Sequence, residues 1–349
     1  MAGAAKSDSK LSRGMSEVYL INTLIFVLAK KYESYQPTIK SPLRQMIHLL
    51  RAHLPDALAD IAEGYLLPKD VESTWQIVEA GHYELCMAIN DVDGGLASAC
   101  HNGYIDIVQL MINKGASNWN WGLTFACRNG HIDIVQLMID KGASVWNSGL
   151  SSACACAHGC IDIVQLMIDK GASDWDWGLS SACYSGHMDI VQLMIDKGAS
   201  NWNCGLSNAC HNGHMDIVQL MIDKGAHNWN DGLSCACNNG HMDIVQLMID
   251  KGASNWNCGL SNACAHGHID IVQLMIAKGA HNWNDGLSCA CANGHVDIAQ
   301  LMIDKGASNW NRGLTCGCHN GHIDIIQLMI DKGATTCTAC DNAKHSFAC

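Results

Sequence analysis

The segment His187–Gly213, HMDIVQLMIDKGASNWNCGLSNACHNG, comes round again and again along this chain. The aspartate opening its DIVQLM core recurs at Asp106, Asp133, Asp162, Asp189, Asp216, Asp243, Asp270, Asp297 and Asp324. Every step is 27 residues except one of 29, where two residues are inserted at or near Ala155-Cys156, before His158. A unit this short cannot bury a core alone. Nine copies at one period therefore restrict the chain to an array whose units stabilise one another by stacking.

Within the unit Asn203–Gly225, Leu206, Ala209 and Cys210 fall at i, i+3 and i+4 and predict a short inward-facing helix over Gly205–His211. The residue at the Asn203 position is always Asn or Asp (Asn120, Asn147, Asp176, Asn230, Asn257, Asn284, Asn311), which reads as an N-cap. Gly213 reads as the left-handed residue that ends this helix. A second helix is predicted over Met215–Lys224, with Asp216, Gln219 and Asp223 on one narrow polar stripe. Ile217, Val218, Leu220, Met221 and Ile222 fill the remaining arc, too wide for one partner helix to cover. Asp216 in the first turn and Lys224 in the last both suit the helix dipole.

The expected organisation is a disordered segment at 1–14, a helical region at 15–80, the repeat array at 81–334 with a degenerate entry cap, and a truncated repeat or tail at 335–349. All four prolines (Pro37, Pro42, Pro55, Pro68) fall in the second of these, as breaks between short helices. Val18–Ala29 is apolar but too short to span a bilayer comfortably. With Lys30-Lys31 directly after it and no small-residue cleavage site, it reads as a buried helix.

The stretch Ala209–Ala226, ACHNGHMDIVQLMIDKGA, resembles the AAxxGHxxVVxLLLxxGA core of ankyrin repeats, with Cys in place of the second Ala. The resemblance implies an all-α, ankyrin-type solenoid of stacked helix-turn-helix repeats that binds a protein partner on its concave side. Two departures stand out. Gly205-Leu206-Ser207-Asn208 replaces the family's TPLH turn, and the loop from Gly225-Ala226 to Leu233 is about six residues short by comparison. Tight loops without β-hairpin fingers are therefore expected. Shortened, tryptophan-bearing arrays of this kind also resemble ankyrin proteins encoded by giant DNA viruses of protists. Leu54–Ile61, with Tyr65-Leu66 and Lys69-Asp70, resembles the first half of an F-box. That likeness implies an alternative function, a ubiquitin-ligase adaptor with the repeats as substrate receptor and host ligase components as partners.

Composition narrows the chemistry. The net charge is −12 with no basic stripe, which disfavours nucleic acid as a partner. Of the 20 cysteines, nine recur at one repeat position (Cys100, Cys127, Cys154 or Cys156, Cys183, Cys210, Cys237, Cys264, Cys291, Cys318). Equivalent residues on stacked helices lie about 8–10 Å apart, beyond the roughly 7 Å Cα separation of a disulfide. Free thiols acting as small hydrophobes, in an intracellular compartment such as a host cytoplasm, are expected. The histidine column (His131, His187, His214, His241, His268, His295, His322) is too widely spaced for one metal to share and reads as structural. The tryptophan column (Trp119, Trp146, Trp175, Trp202, Trp229, Trp256, Trp283, Trp310) reads as loop residues packing between repeats. Cys337, Cys340, His345 and Cys349 come near a zinc-knuckle spacing but coincide with a broken repeat. No nucleophile–base–acid set and no phosphate loop stand out, so neither enzyme activity, nor a cofactor, nor a metal, nor a membrane partner is expected.

Positions that vary among the repeats mark a candidate partner-binding surface. They are Trp121, Trp177, Cys204, Asp231, Asp285 and Arg312 ahead of the first helix, and Phe125, Asn208 and Asn262 on it. Arg128, Tyr184, His211, Asn238, His266 and His319 follow near its end.

Overall fold

A computed structural model describes residues 91–337, together with Val78 and Cys86. Apart from those two residues, the expected N-terminal segments, the F-box-like stretch and the entry cap as far as residue 90 lie outside it. So do Cys340, His345 and Cys349 of the zinc-like spacing. Among the described residues every regular element is an α-helix. No helix there is long and apolar enough to cross a membrane.

The chain divides into two compact units, Met1–Val145 and Trp146–Cys349. The described part of the first holds α1 (Val92–Asn102), α2 (Ile105–Asn113), α3 (Trp119–Asn129) and α4 (Ile132–Asp140). The second opens with α5 (Trp146–Cys154), α6 (Ile161–Asp169), α7 (Trp175–Ser185), α8 (Met188–Lys197), α9 (Trp202–Asn212), α10 (Met215–Asp223) and α11 (Trp229–Asn239). It continues with α12 (Met242–Asp250), α13 (Trp256–His266), α14 (Ile269–Ala277), α15 (Trp283–Asn293), α16 (Val296–Asp304), α17 (Trp310–Asn320) and α18 (Ile323–Asp331). Odd-numbered helices are the first helices of repeats and even-numbered ones the second. Within each unit the first helices pack side by side, each second helix packs on the first helix of its own repeat, and second helices touch one another only sparsely.

The buried residues repeat with the sequence. In α9 they are Gly205, Leu206, Ala209 and Cys210, and in α10 Ile217, Val218 and Met221. Leu220 and Ile222 are half-buried, so the apolar arc of the second helix is fully covered on one side only. Gln219 Nε2 donates to Asp223 Oδ1 across one turn at 2.8 Å, and this pair recurs down the column. Two glycines carry separate jobs. Gly213 has φ 78° and ends α9 in the left-handed region, where a side chain is strained. Gly205 lies inside the helix, where a Cβ would stand 2.6 Å from Met221 Sδ and 3.2 Å from Cys183 Sγ. Its missing side chain lets α10 and the preceding repeat close on α9.

The first helix begins earlier than its apolar spacing predicts. It spans Trp202–Asn212, not Gly205–His211, so the tryptophans are the first residues of helices instead of loop residues. Each is half-buried, and Trp310 Nε1 donates locally to the Ala307 carbonyl at 3.0 Å. The N-cap is Asn201, whose side chain accepts from Cys204 N. The Asn203 position is therefore not a cap. Its side chain is free to reach the next repeat, where Asn203 Oδ1 accepts from His227 N at 2.8 Å and Asn228 N at 3.0 Å. Asn230, Asn257, Asn284 and Asn311 each accept the same two backbone N–H groups in the repeat after their own. The column joins repeats where the sequence suggested it only started helices.

The histidines make a second inter-repeat bond. His214 Nε2 reaches the Tyr184 carbonyl and His241 Nε2 the His211 carbonyl, both at 3.1 Å. A carbonyl oxygen only accepts, so Nε2 is the donor in each of these contacts. The 29-residue step breaks the pattern. Cys160 there takes the N-cap place that Tyr104 holds on α2 and histidine on the other second helices, and it is disulfide-bonded to Cys156, with Cα atoms 5.9 Å apart. This pair departs from the expectation of free thiols. Equivalent cysteines in successive repeats stand too far apart to pair, whereas the inserted residues bring two cysteines together inside one loop.

Candidate functional site

Counting each first helix from its tryptophan, the nominated residues fall mainly on the third, seventh and tenth places. Steps of four and three bring these to one face of a helix. Trp121, Phe125 and Arg128 occupy the three places on α3, and Cys204, Asn208 and His211 those on α9. Trp177 and Tyr184 lie on α7, Asp231 and Asn238 on α11, and Asn262 on α13. Asp285 lies on α15, and Arg312 and His319 on α17. The third-place residues are thus helical and do not precede the helix. His266 is the exception, at the eleventh place of α13, where its Nδ1 lies 3.1 Å from the Asn262 carbonyl and its ring stacks near His268.

In the second unit, side-by-side first helices turn these places into a strip, and neighbouring repeats touch along it. The rings of Tyr184 and His211 stack with centroids 5.6 Å apart and planes 24° apart. His211 Nδ1 meets Asn239 Nδ2 at 2.9 Å, so His211 is held between the repeat before and the repeat after. Asn208 Nδ2 donates to Ser180 Oγ at 2.7 Å, and Asn262 repeats the bond to Ser234 Oγ at 2.7 Å. Arg312 Nη1 approaches Asp285 Oδ1 at 3.9 Å between two exposed side chains. In the first unit, Phe125 meets His101 edge-on with centroids 6.0 Å apart. Trp121 and Trp177 are both 56% exposed and Tyr184 48%, high values for side chains of this size.

The strip also carries thiols that the list of variable positions passed over. Cys258 takes the third place of α13, while Cys235, Cys289 and Cys316 take the seventh places of α11, α15 and α17. The missed signal is an alternation over two repeats. Cys204 with Asn208 is followed by Asp231 with Cys235, then Cys258 with Asn262, then Asp285 with Cys289. Burial raises the Cys235 thiol, and the nearby Asp231 carboxylate and Cys258 add to the effect. Burial and Asp285 likewise raise Cys289. Raised thiols stay protonated at neutral pH, which makes them poor nucleophiles and poor metal ligands. Among the described residues, no three His, Cys, Asp or Glu side chains are placed to hold a metal ion.

The strip displays side chains of varied chemistry in register on a repeating frame. No curated protein matches the chain. The family described as Ankyrin repeats (3 copies) matches residues 77–148, 96–177, 179–258, 206–285 and 260–340. With the helix pairs, the glycine stops and the stacked first helices described above, these matches span about three quarters of the 349 residues, and the chain belongs to the ankyrin-repeat family.

Proposed function

We propose that this protein is a binding scaffold without catalysis of its own, whose protein partner lies across the first-helix strip, the concave side of an ankyrin solenoid. One observation carries the reading. Variation among near-identical repeats falls mainly on the third, seventh and tenth places of the first helices, which lie together on one face, while the buried positions and the Asn203 column stay nearly constant. A surface that varies on a constant frame is suited to reading a partner. Its exposed aromatics are the residue types that dominate binding energy at interfaces. The reading takes in an intracellular setting, which suits core thiols such as Cys183, Cys210, Cys237 and Cys264 that form no disulfide. The narrower likeness to arrays of giant DNA viruses rests on repeat length and the tryptophan column.

A photo-crosslinking amino acid tests the face. Placed at Asn238 on the strip, it is expected to trap a defined protein partner. Placed at Gln246, exposed on α12, it is expected to trap none. Trapping from Gln246 alone would move the partner to the second helices and refute the reading.

A further inference from the structure

The third places of the second unit run Ser148, Trp177, Cys204, Asp231, Cys258, Asp285, Arg312, and among the described residues their charges are not all met. Asp285 has Arg312 beside it at 3.9 Å. Asp231 has no such neighbour, because the same place in the next repeat holds Cys258. It accepts a hydrogen bond from Asn228 Nδ2 at 3.2 Å and is exposed. Two repeats before it stands the 56% exposed indole of Trp177. At the far end of the Trp177 helix, the Tyr184–His211 ring pair is already fixed by Asn239. An aromatic platform and an unneutralised carboxylate therefore lie along one row, two repeats apart.

We infer that the partner engages this row through an extended basic segment: an aromatic or large aliphatic side chain packs on Trp177, and a lysine or arginine pairs with Asp231. The inference rests on the function proposed above and specifies the partner's chemistry. Neighbouring helices stand about 8–10 Å apart, so the two anchors are roughly 16–20 Å apart. An extended chain advances about 3.3 Å per residue with alternate side chains on one side, which places the cation six residues from the apolar anchor. The aromatic face adds attraction for a guanidinium or ammonium that strays onto it. An acidic segment or a nucleic-acid backbone would meet Asp231 and a net charge of −12 with repulsion.

The test uses the full chain and fluorescein-labelled peptides of Ser and Gly carrying Phe and Lys six residues apart, read by anisotropy. Expected results are saturable binding, at least fivefold weaker binding when the spacing is three residues or when Glu replaces Lys, and weakening as salt rises. Trp177→Ala and Asp231→Asn should each weaken it at least fivefold, with helical content by circular dichroism unchanged because both side chains are exposed. Equal binding of the Glu peptide, no loss with Asp231→Asn, or no binding of any peptide overturns the inference. The proposed function stands or falls separately, on whether the crosslinker at Asn238 traps a protein.

Discussion

Raising the pH from 8 to 10.5 is expected to unfold the second unit cooperatively, through its thiols. Cys154, Cys183, Cys210, Cys237, Cys264 and Cys291 sit in its core, and burial pushes each from 9.0 to about 12. The folded chain therefore keeps protons that the unfolded chain gives up. The thiol contribution is intact below pH 9 and is lost progressively as pH climbs toward 12. Each thiol removes about 1.4 kcal/mol of stability per pH unit above its unfolded value, so six remove roughly 8 kcal/mol at pH 10. That is comparable to the whole stability of an ordinary domain, about 5–15 kcal/mol. Circular dichroism during alkaline titration should show loss of helix in this window. Changing Cys210, Cys237 and Cys264 to Ala should move the midpoint upward. An unmoved midpoint would assign alkaline unfolding to other groups.

Leu206→Ala is expected to cost about 2–5 kcal/mol, the range for a fully buried leucine truncated in a packed core. Leu206 has no exposed surface, and α9 is packed by the first helices on either side and by its own second helix. Little can collapse into the gap. The urea midpoint should fall by roughly 1–2.5 M at a slope near 2 kcal/mol per molar, the middle of the usual range. Tyr184→Ala, half-exposed on the strip, should stay within about 0.5 kcal/mol. Reversal of that order would mean that the strip, not the leucine column, holds the repeats together.

Much of this architecture was legible from periodicity, because the period reports local structure. The paired helices, the left-handed stop at Gly213 and the buried Leu206, Ala209 and Cys210 all follow from the pattern within one unit, whereas the histidine reading comes from the distance between successive units. What spacing could not separate were two uses of one residue type. Asn203 carries the side chain that suits an N-cap, yet Asn201 performs that job and Asn203 bonds the next repeat. Both roles need an acceptor aimed at backbone N–H groups, so composition alone cannot tell them apart. The Cys156–Cys160 bond depended on a loop whose length differs from every other copy. The variable positions share one face of the first helices, apart from His266, which lies one residue off it. Cys235, Cys258 and Cys289 belong to an alternation over two repeats that no single 27-residue unit displays, and Cys316, at the seventh place directly after Cys289, falls outside it.

The claim beneath both predictions is that successive 27-residue repeats in the second unit share one hydrophobic core through equivalent seams. Removing residues 229–282 deletes two whole steps, joins Asn228 to Trp283, and restores an Asp-bearing helix beside α9 as before. Urea unfolding followed by circular dichroism should then show a single cooperative transition, undiminished helicity per remaining repeat residue and a smaller slope, since less surface is exposed. Loss of the folded state, as severe as for a deletion of half a step more, would contradict the account.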